Sequence, residues 1–373
     1  MNLNHRMEQL RHSAIKAITI SIVIFFVWLL ADMVRQRLEQ MGIHTGFDFL
    51  QNRAGYDLSE SLINYNGDDS YGRALLAGFS NTLKVAFSSI FAAIAIGLLA
   101  ASAMLSGHPT ANRVARLYIR IVRNTPLLLQ LFFWFGLFTI SLPSMRERIT
   151  LMPGVYLSNR GLNFPLPDLA IWLGFAFSLV VLTALVLFRA RLKVSSHGSN
   201  ALTLAAYLLV LGTVPFLLVA GFGEFDMPAT GRFAIKGGGV LTPEFLTLFI
   251  GLSIYTGTYI AETLRGAVQA VARGQNEAGA SLGLTRAQAF RLVVLPQATR
   301  IALPSIVSEV LNLIKNSSLG VAVGYPDLVS VGNTAMNQTG QAIEMIAIYM
   351  VAYVTINVVI TKLSKLMEAR YAW

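Results

Sequence analysis

The chain has no cysteine, so a disulfide framework and a thiolate metal site are both excluded. Charge is scarce as well: 13% of the 373 residues are Asp, Glu, Lys or Arg, about half of what soluble domains carry. No GxxxxGK[ST] segment occurs, which excludes a P-loop ATPase within this chain. The five histidines (His5, His12, His44, His108 and His197) are scattered without ligand spacing, and no Ser/His/Asp arrangement can be assembled. No catalytic residue and no metal ligand is therefore expected. Internal repeats and low-complexity segments are also lacking.

What is abundant is apolar sequence, at 54% of residues. A membrane-spanning helix needs about 20 predominantly apolar residues, and eight stretches qualify: 14–32, 77–105, 122–142, 169–188, 201–222, 245–267, 301–322 and 342–362. The expected fold is an all-α polytopic membrane protein of about eight transmembrane helices. The run at 14–32 is followed by Asp32-Met33-Val34-Arg35 rather than by small residues, which favours an uncleaved first span over a signal peptide. With the N-terminus inside, 18 Lys and Arg fall on the cytoplasmic side and 9 on the other. That asymmetry supports the orientation, places both termini in the cytoplasm and accounts for the net charge of +10 without nucleic acid. The Pro- and Gly-rich stretches 143–168 and 223–244, including Gly237-Gly238-Gly239, read as outward loops with flexible turns.

Between the apolar stretches at 245–267 and 301–322 lies a polar, helix-forming segment, Asn276 to Pro296. Glu277 to Leu282 suit a short helix that Gly283 ends through a positive φ. Thr285 and Gln288 have the spacing of a capping box, so a second helix starts there. Phe290, Val293 and Val294 fall on one face, and Pro296 is expected to stop the helix. Such a helix–glycine–helix unit suits a structural turn, a docking element or a DNA reader. A loop between two spans cannot lie along a duplex, and only Arg286, Gln288 and Arg291 are suited to reading bases.

The stretch at 301–322 contains Pro304, Glu309 and Lys315. At 100° per residue, Ser305, Ser308, Glu309, Asn312, Lys315 and Asn316 occupy one arc of about 120°. Ionisable groups in a span are costly against lipid, so this arc faces protein or a wet cavity. It is the candidate wall of a solute pathway, offering both charges plus amide and hydroxyl partners to a zwitterion. Packing against neighbouring helices is the structural alternative. Glu262 is a further candidate, although an ion pair with Arg265 three residues on explains it equally.

Glu277-Ala278-Gly279, then Gly283, then Val293, Leu295 and Pro296 resemble the EAA loop of permease subunits of bacterial ABC importers. Gly279 stands where that pattern has a second Ala, and Val293 where it has Ile. Asn81-Thr82-Leu83, Arg123 to Gln130, Tyr259 to Gly266 and Lys315 to Leu319 are similar to the polar amino-acid branch (histidine, glutamate, glutamine, arginine and opine). The enlarged pattern is most like the general L-amino-acid permeases and the related glutamate/glutamine/aspartate/asparagine permeases.

The resemblance implies a type I importer permease core of five spans plus three additional ones. The implied parts are an N-terminal span and external loop at 1–73, a first core part at 74–142, and inserted loops and two extra spans at 143–240. A second core part at 241–365 follows, with a coupling loop at 274–300, and then a tail at 366–373. It further implies a subunit of the bacterial inner membrane that binds no cofactor itself and is not an enzyme. ATP and Mg would be used by two ATP-binding subunits, one of which receives the coupling loop. A second permease subunit, a periplasmic substrate-binding protein, polar L-amino acids and membrane lipid complete the implied partners, with no nucleic acid. An ion-coupled secondary amino-acid transporter is the rival reading, since it too uses a broken polar helix.

Overall fold

The computed structural model describes residues 46–167, 225–231 and 235–371, together with short helical stretches between 18 and 37. The spans expected at 169–188 and 201–222, and most of that at 14–32, lie outside the described residues. Two compact units form, Met1–Asn124 with Leu252–Trp373, and Thr125–Gly251. Among the described residues four helical segments are long and apolar enough to cross a membrane, or five if one broken pair counts as a span.

The first unit is built on α1 (Tyr71–Leu105), whose N-cap Ser70 accepts the backbone N–H of Arg73. α2 (Pro109–Arg123) follows after a short turn, with Pro109 in the first helical turn, where its missing N–H costs nothing. α2 and α3 (Leu127–Gly136) are the broken pair, interrupted at Asn124-Thr125-Pro126. This corrects the continuous span expected at 122–142. Pro126 removes a helical N–H and drives the preceding residue out of the helical region.

α4 (Pro243–Ala270) approaches α1 at two glycines. A Cβ on Gly97 would lie 2.5 Å from Ile260 Cγ2, and one on Gly257 would lie 2.8 Å from Ile96 Cγ2. Small residues of this kind let helix backbones close up where lipid supplies no hydrophobic drive. Lower down, Ala100, Ala101 and Met104 of α1 pack with Ala115 and Ile119 of α2 and with Ala261 of α4.

At the other end of α1, residues 46–70 fold back onto the helix. The sequence offered no role for this stretch, yet Phe49 and Ala54 are buried with Tyr71, Ala74 and Leu75. α8 (Leu328–Thr339) and α9 (Ala342–Tyr371) complete that cluster through Leu328, Val331, Ala335 and Met345. Asn81 ties the elements together. Its Oδ1 accepts from Leu62 N, its Nδ2 donates to the carbonyls of Glu60 and Pro326, and its own carbonyl accepts from Tyr325 Oη at 3.1 Å. Thr82 Oγ1 accepts from Leu328 N at 3.0 Å, and Lys84 pairs with Glu60.

Asp327 caps α8, accepting the N–H of Ser330 at 2.8 Å, and is fully buried. Burial pushes its carboxyl up from 3.8 to about 7, against the opposing pull of backbone N–H groups. The folded chain therefore holds this proton more tightly than the unfolded chain. Stability falls as pH rises from about 4 to about 7, then levels. Asp327→Asn keeps the cap and removes the titration, so thermal melts of the variant should lack this fall. The upper limit of the effect is about 4 kcal/mol, at about 1.4 kcal/mol per tenfold change. An unchanged slope in the variant would assign the pH dependence to other groups.

The second unit departs from an all-α architecture. β1 (Ile149–Met152), β2 (Val155–Ser158), β3 (Gly161–Phe164) and β4 (Gly239–Leu241) form an antiparallel sheet in the order β1-β2-β3-β4. Met152 pairs with Val155 across Pro153-Gly154, where Gly154 has φ 80°, as a Pro-Gly turn requires. Leu162 pairs with Leu241, joining the two stretches that read as separate loops. The glycine run expected to be a flexible turn sits within this ordered structure, with Gly238 N donating to Asp226 Oδ2 at 2.8 Å. In the same unit, Leu131 of α3 is fully buried and fills the space beside Gly251.

Candidate functional site

The loop after α4 consists of α5 (Arg273–Ser281), α6 (Arg286–Ala289) and a wider, π-type turn over Phe290–Val294. α7 (Leu295–Asn316) follows, and a tighter 3-10 segment runs over Ser317–Val323. α5 begins four residues before Glu277. Its end is a Schellman motif: Leu284 N donates to Gly279 O at 3.1 Å and Gly283 N to Ala280 O at 2.9 Å, with Gly283 at φ 75°. The capping box forms too, since Thr285 Oγ1 accepts Gln288 N while Gln288 Oε1 accepts Thr285 N. Gly279 has a reason of its own. A Cβ there would lie 3.3 Å from Ala289 Cβ, so the missing methyl lets α5 and α6 close up.

Pro296 does not stop a helix, contrary to expectation; it sits in the first turn of α7. A proline ring clashes with the carbonyl four residues back and cannot donate to it. The π turn resolves this by lengthening the hydrogen bond step, with Leu295 N donating to Phe290 O. The extra residue also rotates the face. Val294 is buried with Ala267, Val271, Ala298 and Ala302, whereas Phe290 points outward.

The loop consequently displays apolar side chains. Leu282 is 81% exposed at the tip, and Phe290, Leu292 and Leu295 are exposed beside it. Glu277 and Ala278 are exposed on α5, and Gly279 is buried. Covering a Leu or Phe is worth about 1.5–3 kcal/mol, so this surface gains substantially from a partner.

Among the described residues the polar arc of α7 is largely uncovered. Ser305, Ser308, Asn312 and Lys315 are exposed, and Glu309 and Asn316 are half-buried, while Ala302, Leu313 and Ile314 face inward. Ser308 Oγ donates back to Pro304 O, one turn earlier in the same helix. Only 17% of the most apolar window of the Arg286–Val323 span, and likewise of the Ala342–Leu366 span, is buried within the chain.

Glu262 pairs with Arg265, whose Nε and Nη2 donate to Oε2 at 3.0 and 2.7 Å, while Nη1 reaches Gln269. It also lines a polar cavity of about 400 Å³ with Arg116, Arg120, Arg123, Asn124 and Tyr259. The sequence marks Arg116 and Arg120 only as positive-inside residues, and Arg123 also as the start of the segment that resembles the polar amino-acid branch. Their three- and four-residue spacing was the signal that α2 is a helix with a charged face. Asp327 and the partners of Asn81 were missed altogether.

Residues 93–373 match the model of the family described as "Binding-protein-dependent transport system inner membrane component". The general L-amino acid transport system permease protein AapQ of Rhizobium johnstonii is 39% identical over 95% of this chain and 90% of its own length. The putative amino-acid ABC transporter permease protein YhdX of Escherichia coli is 39% identical over 95% of this chain and 92% of its own. The glutamate/glutamine/aspartate/asparagine transport system permease protein BztB of Rhodobacter capsulatus is 33% identical over 94% and 92%. A loop that displays apolar side chains and an apolar helix with an exposed polar face thus occur in a chain that aligns with permeases almost end to end, and this chain belongs to the family of inner-membrane components of binding-protein-dependent transport systems.

Proposed function

We propose that this chain is the permease subunit of an ATP-driven importer that carries polar L-amino acids across a bacterial inner membrane. It is not itself an enzyme. The observation that carries the reading is the α7 arc, polar and uncovered on a helix apolar enough to span. Ser305, Ser308, Asn312 and Asn316 supply neutral partners, and Glu309 and Lys315 supply both charges, a set matched to the ammonium and carboxylate of an amino acid. A second permease subunit, similar or identical, closes the path from the other side. The names borne by the relatives support the solute class.

The loop 274–300 is the coupling element. Leu282, Phe290 and Leu292 insert into an ATP-binding subunit, with Glu277, Ala278, Gly279 and Gly283 shaping the docking unit and Leu295 and Pro296 joining it to α7. Two such subunits, using ATP and Mg, close on each other and rock the helices between inward- and outward-open states. A periplasmic binding protein delivers solute to the opposite side. The charge asymmetry supports a cytoplasmic loop and cytoplasmic termini. In this reading, 74–142 and 241–365 form the transport core, and 143–240 is inserted. The ion-gradient alternative has no support, since the family is defined by dependence on a binding protein.

Single cysteines test the pathway without any prior removal, because the native chain has none. Cysteines at Ser305, Ser308 and Asn312 should react with a polar maleimide at least tenfold faster than cysteines at Val354 and Val358, exposed positions on α9. A thiolate forms readily only where water reaches it. Saturating amino acid with its binding protein should slow at least one arc position. Equal rates on the two helices would leave the arc a packing surface.

A further inference from the structure

We propose that the cavity between α2 and α4 binds the phosphate group of an anionic phospholipid. Arg116, Arg120 and Arg123 project from an 80° sector that also includes Arg113, and three of these four line the cavity. Like charges one turn apart repel, so the sector calls for a counter-anion. Among the described residues none is provided. The one carboxylate among the described residues that line the cavity is Glu262, and it is already held by Arg265. Among the described residues Arg116 and Arg120 form no ion pair. Arg123 lies with its Cζ 4.9 Å from the centre of the Tyr259 ring. That stacking fixes the guanidinium plane and leaves N–H edges to donate. Asn124 adds an amide at the rim.

The neighbouring sector of α2 identifies the kind of anion. Val114, Leu117 and Ile121 lie at 100–160° from Arg116 and are 62, 55 and 57% exposed. Leu98 and Leu99, near the same end of α1, are also exposed. A small soluble anion gains nothing from this apolar strip, whereas an acyl chain covers it while its headgroup meets the arginines. The position agrees. α1 ends at Leu105, and α2 folds straight back along it through Ala115 and Ile119, so the sector begins where headgroups begin. Arginine stems reach from such a helix to the interface, and basic pockets between spanning helices suit anionic headgroups. The inference requires membrane embedding but not any particular solute.

The test uses the assembled transporter, purified with its ATP-binding subunits, in nanodiscs of phosphatidylcholine with or without phosphatidylglycerol. Retained lipid is counted by native mass spectrometry after release into detergent. The native chain should retain phosphatidylglycerol selectively and melt at a higher temperature when it is present. R116Q/R120Q should bind it about 30-fold more weakly, and R116K/R120K should keep most of the affinity, separating charge from folding. Undiminished retention by the Gln variant overturns the proposal. So does displacement of the lipid by saturating free amino acid, which would make the cavity a solute subsite. Retention is measured without transport, so this result and the transport reading stand or fall separately.

Discussion

Gly283→Val should uncouple the assembled transporter. No atom lies within 4 Å of a Cβ built at Gly283, so crowding is not the cause. The whole penalty is the φ of 75°, which costs an ordinary L-residue about 1–2 kcal/mol and a β-branched one more. That is enough to open the Schellman motif, which holds only a nine-residue helix and its turn. The spanning helices are untouched, so the chain should still accumulate in the membrane. Solute-stimulated ATP hydrolysis should fall at least tenfold, and co-purification of the ATP-binding subunit should weaken. Gly283→Asn should remain within about threefold of wild type, because Asn tolerates the left-handed region. Coupling that survives Val would mean the loop docks without its αL turn.

Gly257→Leu should have a larger effect of another kind, loss of the folded chain. The first added carbon would already stand 2.8 Å from Ile96 Cγ2 and 3.3 Å from the carbonyl oxygen of Ala93. Three further carbons must then push α1 and α4 apart where they pack at Gly257. Overpacking costs about 1–3 kcal/mol even where neighbours yield, and a backbone oxygen yields little. Membrane yield should drop severalfold, and the remaining protein should melt lower. Gly257→Ala meets chiefly the Ile96 methyl, so Ile96→Ala should restore it and leave Gly257→Leu unrescued. Wild-type yield and melting in Gly257→Leu would show that the helices do not depend on this contact.

These two glycines also mark what could be read before the fold was known. Gly283, Thr285 and Gln288 act on groups within five residues, so composition and spacing were sufficient to anticipate a glycine turn and a capping box. The polar arc was legible for a similar reason: six polar residues in an apolar helix need only the helical angle. Gly97 and Gly257 were not legible, because their meaning lies in a side chain more than 150 residues away. Asn81 similarly bonds to Pro326 and Tyr325 across about 245 residues. The sheet was hidden because its strands are three or four residues long and framed by proline and glycine, which signal turns more strongly than so short an alternation signals strand. Pro296 was misjudged because a widened turn can absorb a proline, and nothing in the local composition announces that turn.

α1 has 35 residues, a length of about 52 Å, well beyond the ~30 Å of a hydrocarbon core. Its two charged residues, Arg73 and Lys84, together with Asn81 and Thr82, lie in the first 14 positions, and the 21 from Val85 to Leu105 contain no charge. Those 21 measure about 31 Å. The helix therefore matches an ordinary bilayer with little tilt and raises its clamped end into water. Tilting, the usual answer to a thinner membrane, would drag Asn81 and the segments bonded to it sideways. Bilayer thickness thereby becomes a mechanical load on α1, resisted at one end by the Asn81 hydrogen bonds and at the other by the alanine packing around Ala101.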